Sequence, residues 1–314
     1  MFGYKRCLIA RLSVICLIVL MLSGFAGSLA DTPEDTTDSE EPACTLSNVA
    51  EFSMVGAGEE NFGIAVEFID MYVDEKEIDQ GIKIGATTYV GLRDFSENVG
   101  RDVTIDWDAA TVTATIQAQG LTITAQANGR YITANGRCLY LWDGIQVIDG
   151  NLMIPVRELA KAFGVGIIWN EEDRSCEVDT TGAIPIESAD KFYNEEDMMW
   201  LARIINAESG NQALEGKIAV GNVVVNRVND PYCPDSIFEV IFDTKHGVQF
   251  QPIISGAVYR EPSEESIVAA KISLEGYNLV GDSLFFVNPE VGITGWFAQT
   301  RTYVVSLGDH DFYA

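Results

Sequence analysis

The periodicity of the apolar residues changes once along this chain, and that change limits the fold more than any other feature. From about residue 62 to 180 the runs are short and alternating: "GIKIGATTYVGL", "RDVTIDWD", "TVTATIQAQGLTITAQANGRYITANGRCLYL". Thr, Val, Ile and Tyr take every second place, with Gly and Asn at the breaks. Such a pattern predicts strands half-buried on one face and joined by tight turns. From residue 194 onward apolar residues recur every three or four places, as in amphipathic helices, with one or two short strands. The expected fold class is therefore α+β: a β-rich domain over 62–180, a polar Gly/Pro-containing linker over 181–193 and a mainly α domain over 194–314.

The β-rich part repeats itself. "TYVGLRDFSENVGRDVTIDWD" recurs as "LMIPVRELAKAFGVGIIWNEE", aligning Arg93 with Arg157, Gly100 with Gly164 and, after a short gap, Trp107 with Trp169. Each copy reads strand, short helix, glycine turn, then a strand ending at Trp-Asp or Trp-Asn. Two copies of one supersecondary unit are expected to pack together.

Residues 1–30 read as a secretory signal peptide: Lys5, Arg6 and Arg11, then the apolar run "LSVICLIVLML", then small residues at Ser28 and Ala30. The apolar run is too short for a comfortable membrane span. Residues 31–61 open with "DTPEDTTDSEEPA" and read as an acidic disordered linker. The chain is thus expected to be secreted. Of 20 lysines and arginines three lie in the leader, so 17 face 47 acidic residues, a net charge of −30. Such a surface repels nucleic acid and anionic lipid, so any attachment to an anionic wall must rest on shape and hydrogen bonds.

Four cysteines lie beyond the leader: Cys44, Cys138, Cys176 and Cys233. None forms a CxxC pair. Three pairings are open, as is the alternative of buried free thiols. Only two histidines occur, His246 and His310, so a zinc site built on several histidines is excluded and no metal or cofactor is expected.

The chemistry concentrates in "WLARIINAESGNQALEGKIAVGNVVVNRV", residues 200–228. Asn194 is an N-cap candidate with Glu195, Glu196 and Asp197 in the first turn. Leu201, Ile204 and Ile205 form an apolar stripe, and Glu208 falls on it one turn later. Gly210 ends the helix in the manner of a C-terminal glycine. Burial and the negative end of the helix dipole both penalise a charged Glu208, so a protonated carboxyl near neutral pH is expected. A glycosidase needs such a group to protonate a leaving oxygen. Gln249 and Phe250 form a polar-aromatic pair suited to sugar binding, and Asn288 precedes Pro289 at a strand end.

Two resemblances follow from these motifs. "IPVRELAKAFGVGIIWNEEDRSCEV" resembles the copper amine oxidase N-terminal (stalk) domain, over about residues 66–180. It implies a non-catalytic α+β module with a wall or protein partner, and no copper ligand is available in it. "NAES", "EGKIAVGNVVVNRV", "PDSIFEVI", "QFQPI", "FFVNPE" and "GDHDFY" resemble the cell wall hydrolase family of the spore cortex-lytic enzymes. That resemblance implies a lysozyme-like fold, lytic transglycosylase action on peptidoglycan glycan strands, a place at the cell wall or spore, and Glu208 as the single catalytic acid; a monomer is expected. It also places Gln249, Phe250 and Asn288 in substrate positioning and leaves His310, Asn226 and Arg227 with structural duties. Rival readings are a hydrolytic muramidase using Asp243, Glu261 or Glu215 as second carboxylate, a cysteine enzyme using Cys233 and His246, and a non-catalytic wall-binding protein.

Overall fold

The computed structural model describes residues 67–245, 247–291 and 299–314. The expected signal peptide and acidic linker, with Cys44 and His246, lie outside the described residues. Fifteen strands and eight helices are named here among the described residues. The α+β expectation holds: a β-rich region precedes a helical one.

The β-rich region runs β1 (Glu67–Val73), β2 (Lys76–Ile84), β3 (Thr87–Gly91), α1 (Leu92–Val99), β4 (Thr104–Asp108), β5 (Thr113–Ala118), β6 (Leu121–Gln126), β7 (Tyr131–Ala134), β8 (Arg137–Tyr140), β9 (Gln146–Ile148), β10 (Asn151–Pro155), α2 (Val156–Phe163), β11 (Gly166–Asn170) and β12 (Ser175–Asp179). One sheet has the order β11-β12-β1-β2-β3-β10-β9, and the second is the meander β4-β5-β6-β7-β8. All pairings in both are antiparallel except β1 with β12. Ile69 and Met71 of the first sheet, Ile116, Ile123, Ile132 and Leu139 of the second, and Phe95, Leu159 and Phe163 of the helices close one core between them.

The repeat is real up to its last strand. The strands β3 and β10 pair antiparallel, setting Ile154 opposite Val90. The helices that follow meet through Phe95 and Phe163, edge to face at 5.7 Å. The copies then diverge: β4 joins the meander and β11 the large sheet. Trp107 is accordingly exposed, whereas Trp169 packs against the core.

The polar linker is fastened along its length. Gly164 adopts φ +69, and a Cβ there would overlap the Ile184 carbonyl oxygen. Ile186 N–H donates to Ala162 O (3.0 Å), and Asn135 Nδ2 donates to Ile186 O (2.8 Å). The short α3 (Ala189–Phe192) lays its Phe192 ring under the Arg137 guanidinium, 3.3 Å from the ring centroid.

The helical region contains α4 (Glu195–Ser209), α5 (Leu214–Asn229), α6 (Ile237–Phe242), α7 (Gln251–Ser255), α8 (Glu264–Leu274), and the sheet β13-β15-β14 of β13 (Phe285–Val287), β14 (Tyr303–Leu307) and β15 (His310–Tyr313). Leu201, Ile204, Ile205, Ile218, Val224, Ala269 and Ile272 fill its core. The strand β8 is the wall between the two cores. Its residues alternate faces, so Leu139 enters the β core while Cys138 and Tyr140 enter the helical one. This placement decides the thiols: Cys138 and Cys176 are both buried and free, in different cores.

One buried carboxylate locks the two regions. Glu275, at the end of α8, accepts from Arg137 Nε (2.6 Å) and Nη2 (2.7 Å), Lys161 Nζ (3.0 Å) and Tyr193 Oη (2.7 Å). Burial pushes its carboxyl up, but the bonds from Arg137, Tyr193 and Lys161 outweigh it and hold the carboxyl below its usual range. Removing one partner of a buried charge network leaves the others desolvated and unpaired. Glu275→Ala should therefore lose about 3–5 kcal/mol in urea unfolding. A loss under about 1 kcal/mol would mean the network contributes no more than a surface pair.

Candidate active site

The helix α4 begins as its sequence demands: Asn194 Oδ1 accepts from Asp197 N–H at 3.1 Å, and three acids occupy the first turn. Leu201, Ala202, Ile204 and Ile205 are buried. Glu208 follows on that side and is half-buried. Among the described residues its carboxyl has no hydrogen bond and no ion pair. Burial raises its pKa from 4.5 to about 7. The negative end of the helix dipole acts in the same direction.

Gly210 corrects one expectation. Its backbone is right-handed, φ −58 and ψ −25, not the left-handed conformation of a C-terminal glycine cap. The turn closes instead through Gln212 N–H to Ser209 O at 2.9 Å. Both kinds of helix end accept glycine, so the residue type alone cannot separate them.

The other expected site residues divide. Gln249 is half-buried and donates from Nε2 to Gly247 O (3.0 Å) within its loop. Asn288 closes an Asx turn, Oδ1 accepting from Glu290 N–H at 2.9 Å. Phe250 is a correction: it is 1% exposed, with its ring 6.3 Å from Phe286 and the Arg227 guanidinium 5.2 Å from its centroid. It flanks α7 at the N-terminal side and turns inward beneath the end of α5, so its face is closed to a sugar.

Asn226 and Arg227 have structural duties. Asn226 Nδ2 donates to Gly281 O (2.7 Å) and Ser283 O (2.9 Å), and Arg227 Nε donates to Leu284 O (2.7 Å). Asn222, one turn earlier, was missed: it donates to Tyr277 O (2.7 Å) and accepts from Leu279 N–H (2.9 Å). An amide inside the apolar run "AVGNVVV" was the available signal. The buried Lys217 pairs with Glu265. Gln212, also missed, contacts His310 Nδ1 at 3.0 Å.

The candidate partners for Glu208 fare unequally. Glu215 is taken by Arg130 (3.2 Å) and Tyr140 Oη (3.3 Å). Asp243 accepts from Lys245 N–H (2.8 Å), and Glu261 is exposed. Cys233 is half-buried, and burial pushes its thiol up, the reverse of an activated nucleophile.

Residues 211–313 match the Cell Wall Hydrolase family. The match begins three residues after Glu208. Residues 72–178 match the copper amine oxidase N-terminal domain, so both resemblances read from the motifs have a matching family model. A spore cortex-lytic enzyme of Oceanobacillus iheyensis is 28% identical over 132 residues, 42% of this chain and 46% of that protein. The spore cortex-lytic enzyme of Bacillus subtilis is 27% identical over 120 residues, 38% of each. The chain thus spans less than half the length of the curated relatives it matches. Among solved structures, the catalytic domain of the germination-specific lytic transglycosylase SleB from Bacillus anthracis is 27% identical, covering 39% of this chain and 97% of that one, with a TM-score of 0.36.

The carboxyl of Glu208 makes stability depend on pH with a definite sign. Its folded pKa exceeds the unfolded value, so the folded state keeps a proton that the unfolded chain releases. Stability is full below the ordinary value of 4.5, falls as the pH climbs to about 7, and is level above. Glu208→Gln removes that loss, so the variant should be more stable than the parent by about 3 kcal/mol near pH 8 and equal to it near pH 4. Identical unfolding curves at both pH values would contradict a desolvated carboxyl.

Proposed function

We propose that the helical region cleaves the glycan strands of peptidoglycan, in the cell wall or spore cortex, outside the cytoplasm. The observation that carries this reading is the half-buried Glu208 carboxyl, held protonated near neutral pH with no partner among the described residues to take its proton. The cell wall hydrolase match over the residues that follow it supports the reading, as do the spore cortex-lytic relatives.

Glu208 acts first as an acid. Its proton passes to the oxygen joining N-acetylmuramic acid to N-acetylglucosamine, that C–O bond breaks, and positive charge develops at the muramic acid C1. The resulting carboxylate then takes the proton of the same sugar's C6 hydroxyl, whose oxygen bonds to C1. A 1,6-anhydro ring closes, the Glu208 proton is restored, and no water is consumed. One carboxyl suffices, which suits a site where Glu215 is occupied and Asp243 caps a turn. Gln249 and Asn288 remain the groups proposed to orient sugar hydroxyls or N-acetyl groups. The β-rich region is proposed to hold the catalytic one against a wall or protein partner.

Purified peptidoglycan digested with the protein should yield glycan ends one water lighter than hydrolysed ends by mass spectrometry. Glu208→Gln should reduce the rate by on the order of 10²–10⁴-fold. Hydrolysed ends would assign the reaction to a two-carboxylate muramidase, and undiminished cleavage by the glutamine variant would overturn the role of Glu208.

A further inference from the structure

Glu208 has no side-chain tether of its own among the described residues, so its carboxyl goes wherever the last turn of α4 places it. That turn is anchored from outside at two points: before Glu208, Asn206 Oδ1 accepts from Ser263 N–H (3.1 Å) and Ser266 Oγ (3.2 Å) at the start of α8, and after it the chain is held by Gln212. Gln212, 9% exposed, reaches across to the β14–β15 hairpin, where His310, 7% exposed, receives it at 3.0 Å. The carboxamide lies between two glycines: a Cβ on Gly216 of α5, or on Gly308 of the hairpin, would overlap its Oε1. Gly308 also adopts φ +58, so the hairpin turns there at no steric cost. At the other end the Gln212 backbone N–H caps the Ser209 carbonyl. One residue therefore joins the end of the Glu208 helix to the C-terminal sheet by backbone and side chain together.

The orientation of the carboxamide assigns the histidine tautomer. Oε1 accepts from Asp309 N–H at 3.4 Å, so Nε2 is the end that faces His310, and it donates to Nδ1. His310 must then carry its proton on Nε2 and be neutral. Its ring packs edge-on to Phe286 at 4.8 Å. Burial lowers its pKa, and the adjacent Asp309 carboxylate opposes that more weakly. A protonated Nδ1 would set one donor against another.

We infer that Gln212 and His310 are positioning residues for the proposed reaction: their hydrogen bond fixes the turn after Glu208 and thereby keeps the Glu208 carboxyl out of water. The inference rests on the reading of Glu208 as the acid. The charges on the helices packed against α4 do not compete for this role. On α5 Lys217 is paired with Glu265, Glu215 with Arg130, and Arg227 donates to Leu284 O; on α6 Glu239 accepts from Ser236 Oγ; on α8 Lys271 donates to Gly136 O and Glu264 is exposed. Loosening the clamp hydrates the carboxyl, which then ionises at lower pH and leaves less acid at neutrality.

The sharpest test is Gly216→Ala. Alanine suits a helix better than glycine by roughly 1 kcal/mol, so the substitution favours α5 while its methyl displaces the carboxamide. The expected result, on soluble glycan strands, is a fall in kcat of roughly 10-fold or more with KM little changed. The alkaline limb of the pH–kcat profile should also move down from about 7 toward the ordinary carboxyl range. A merely structural loss would lower the active fraction without moving that limb. In parallel, ¹⁵N NMR of the two histidines should find His310 with an unprotonated Nδ1 and a protonated Nε2 in the parent, and altered shifts in Gly216→Ala. Gln212→Ala, which removes the donor to His310 Nδ1, should reproduce the limb shift. An unmoved limb in both Gly216→Ala and Gln212→Ala, or a proton on Nδ1 in the parent, would overturn the clamp. A parent that cuts no glycan would overturn the proposed function instead, and the tautomer measurement would still decide whether the hydrogen bond exists.

Discussion

A carboxyl group partly screened from water, with no partner among the described residues, keeps its proton, and the helical region is organised around that constraint at Glu208. The apolar stripe of α4 carries the group into a partly dry place, and burial moves its titration to about 7. This is costly for folding above the ordinary carboxyl range. The framework must therefore hold α4 in place by interactions that Glu208 does not share.

Those interactions lie on three sides. The N-terminus of α4 is capped by Asn194 and packs Leu201, Ile204 and Ile205 against α5 and α8. The strand β8 contributes Cys138 and Tyr140 to the same core, while Leu139 belongs to the β core behind it. Glu275 ties the end of α8 to Arg137, Lys161 and Tyr193, one from a strand, one from a helix and one from the segment joining the regions. The β-rich region is thus bonded to the helical one through a buried ionic network and a shared strand, and a loose tether is not what the chain builds.

Much of this was legible in the sequence because it is periodic. The switch from alternation to a three-to-four spacing gave the α+β division, and the doubled strand-helix-strand pattern gave β3-α1 and β10-α2. Glu208 stood out as a charge on an apolar stripe. What could not be read was long-range and polar. Gln212 and His310 are 98 positions apart, and Arg137 and Glu275 are 138 apart. No local pattern couples such pairs. Two misreadings have local causes: Gly210 serves a right-handed turn that uses the same residue as a left-handed cap, and Phe250 is an aromatic in a loop sequence whose ring turns into the core. The repeat also concealed that its two final strands enter different sheets, because strand partners depend on residues elsewhere in the chain.

The most direct measurement of the central claim is the titration of the Glu208 carboxyl itself, by ¹³C NMR of glutamate-labelled protein with Glu208→Gln used to assign the signal. Half-protonation near pH 7 is the predicted result. A midpoint in the range of an ordinary exposed glutamate, about 4.3, would contradict the account.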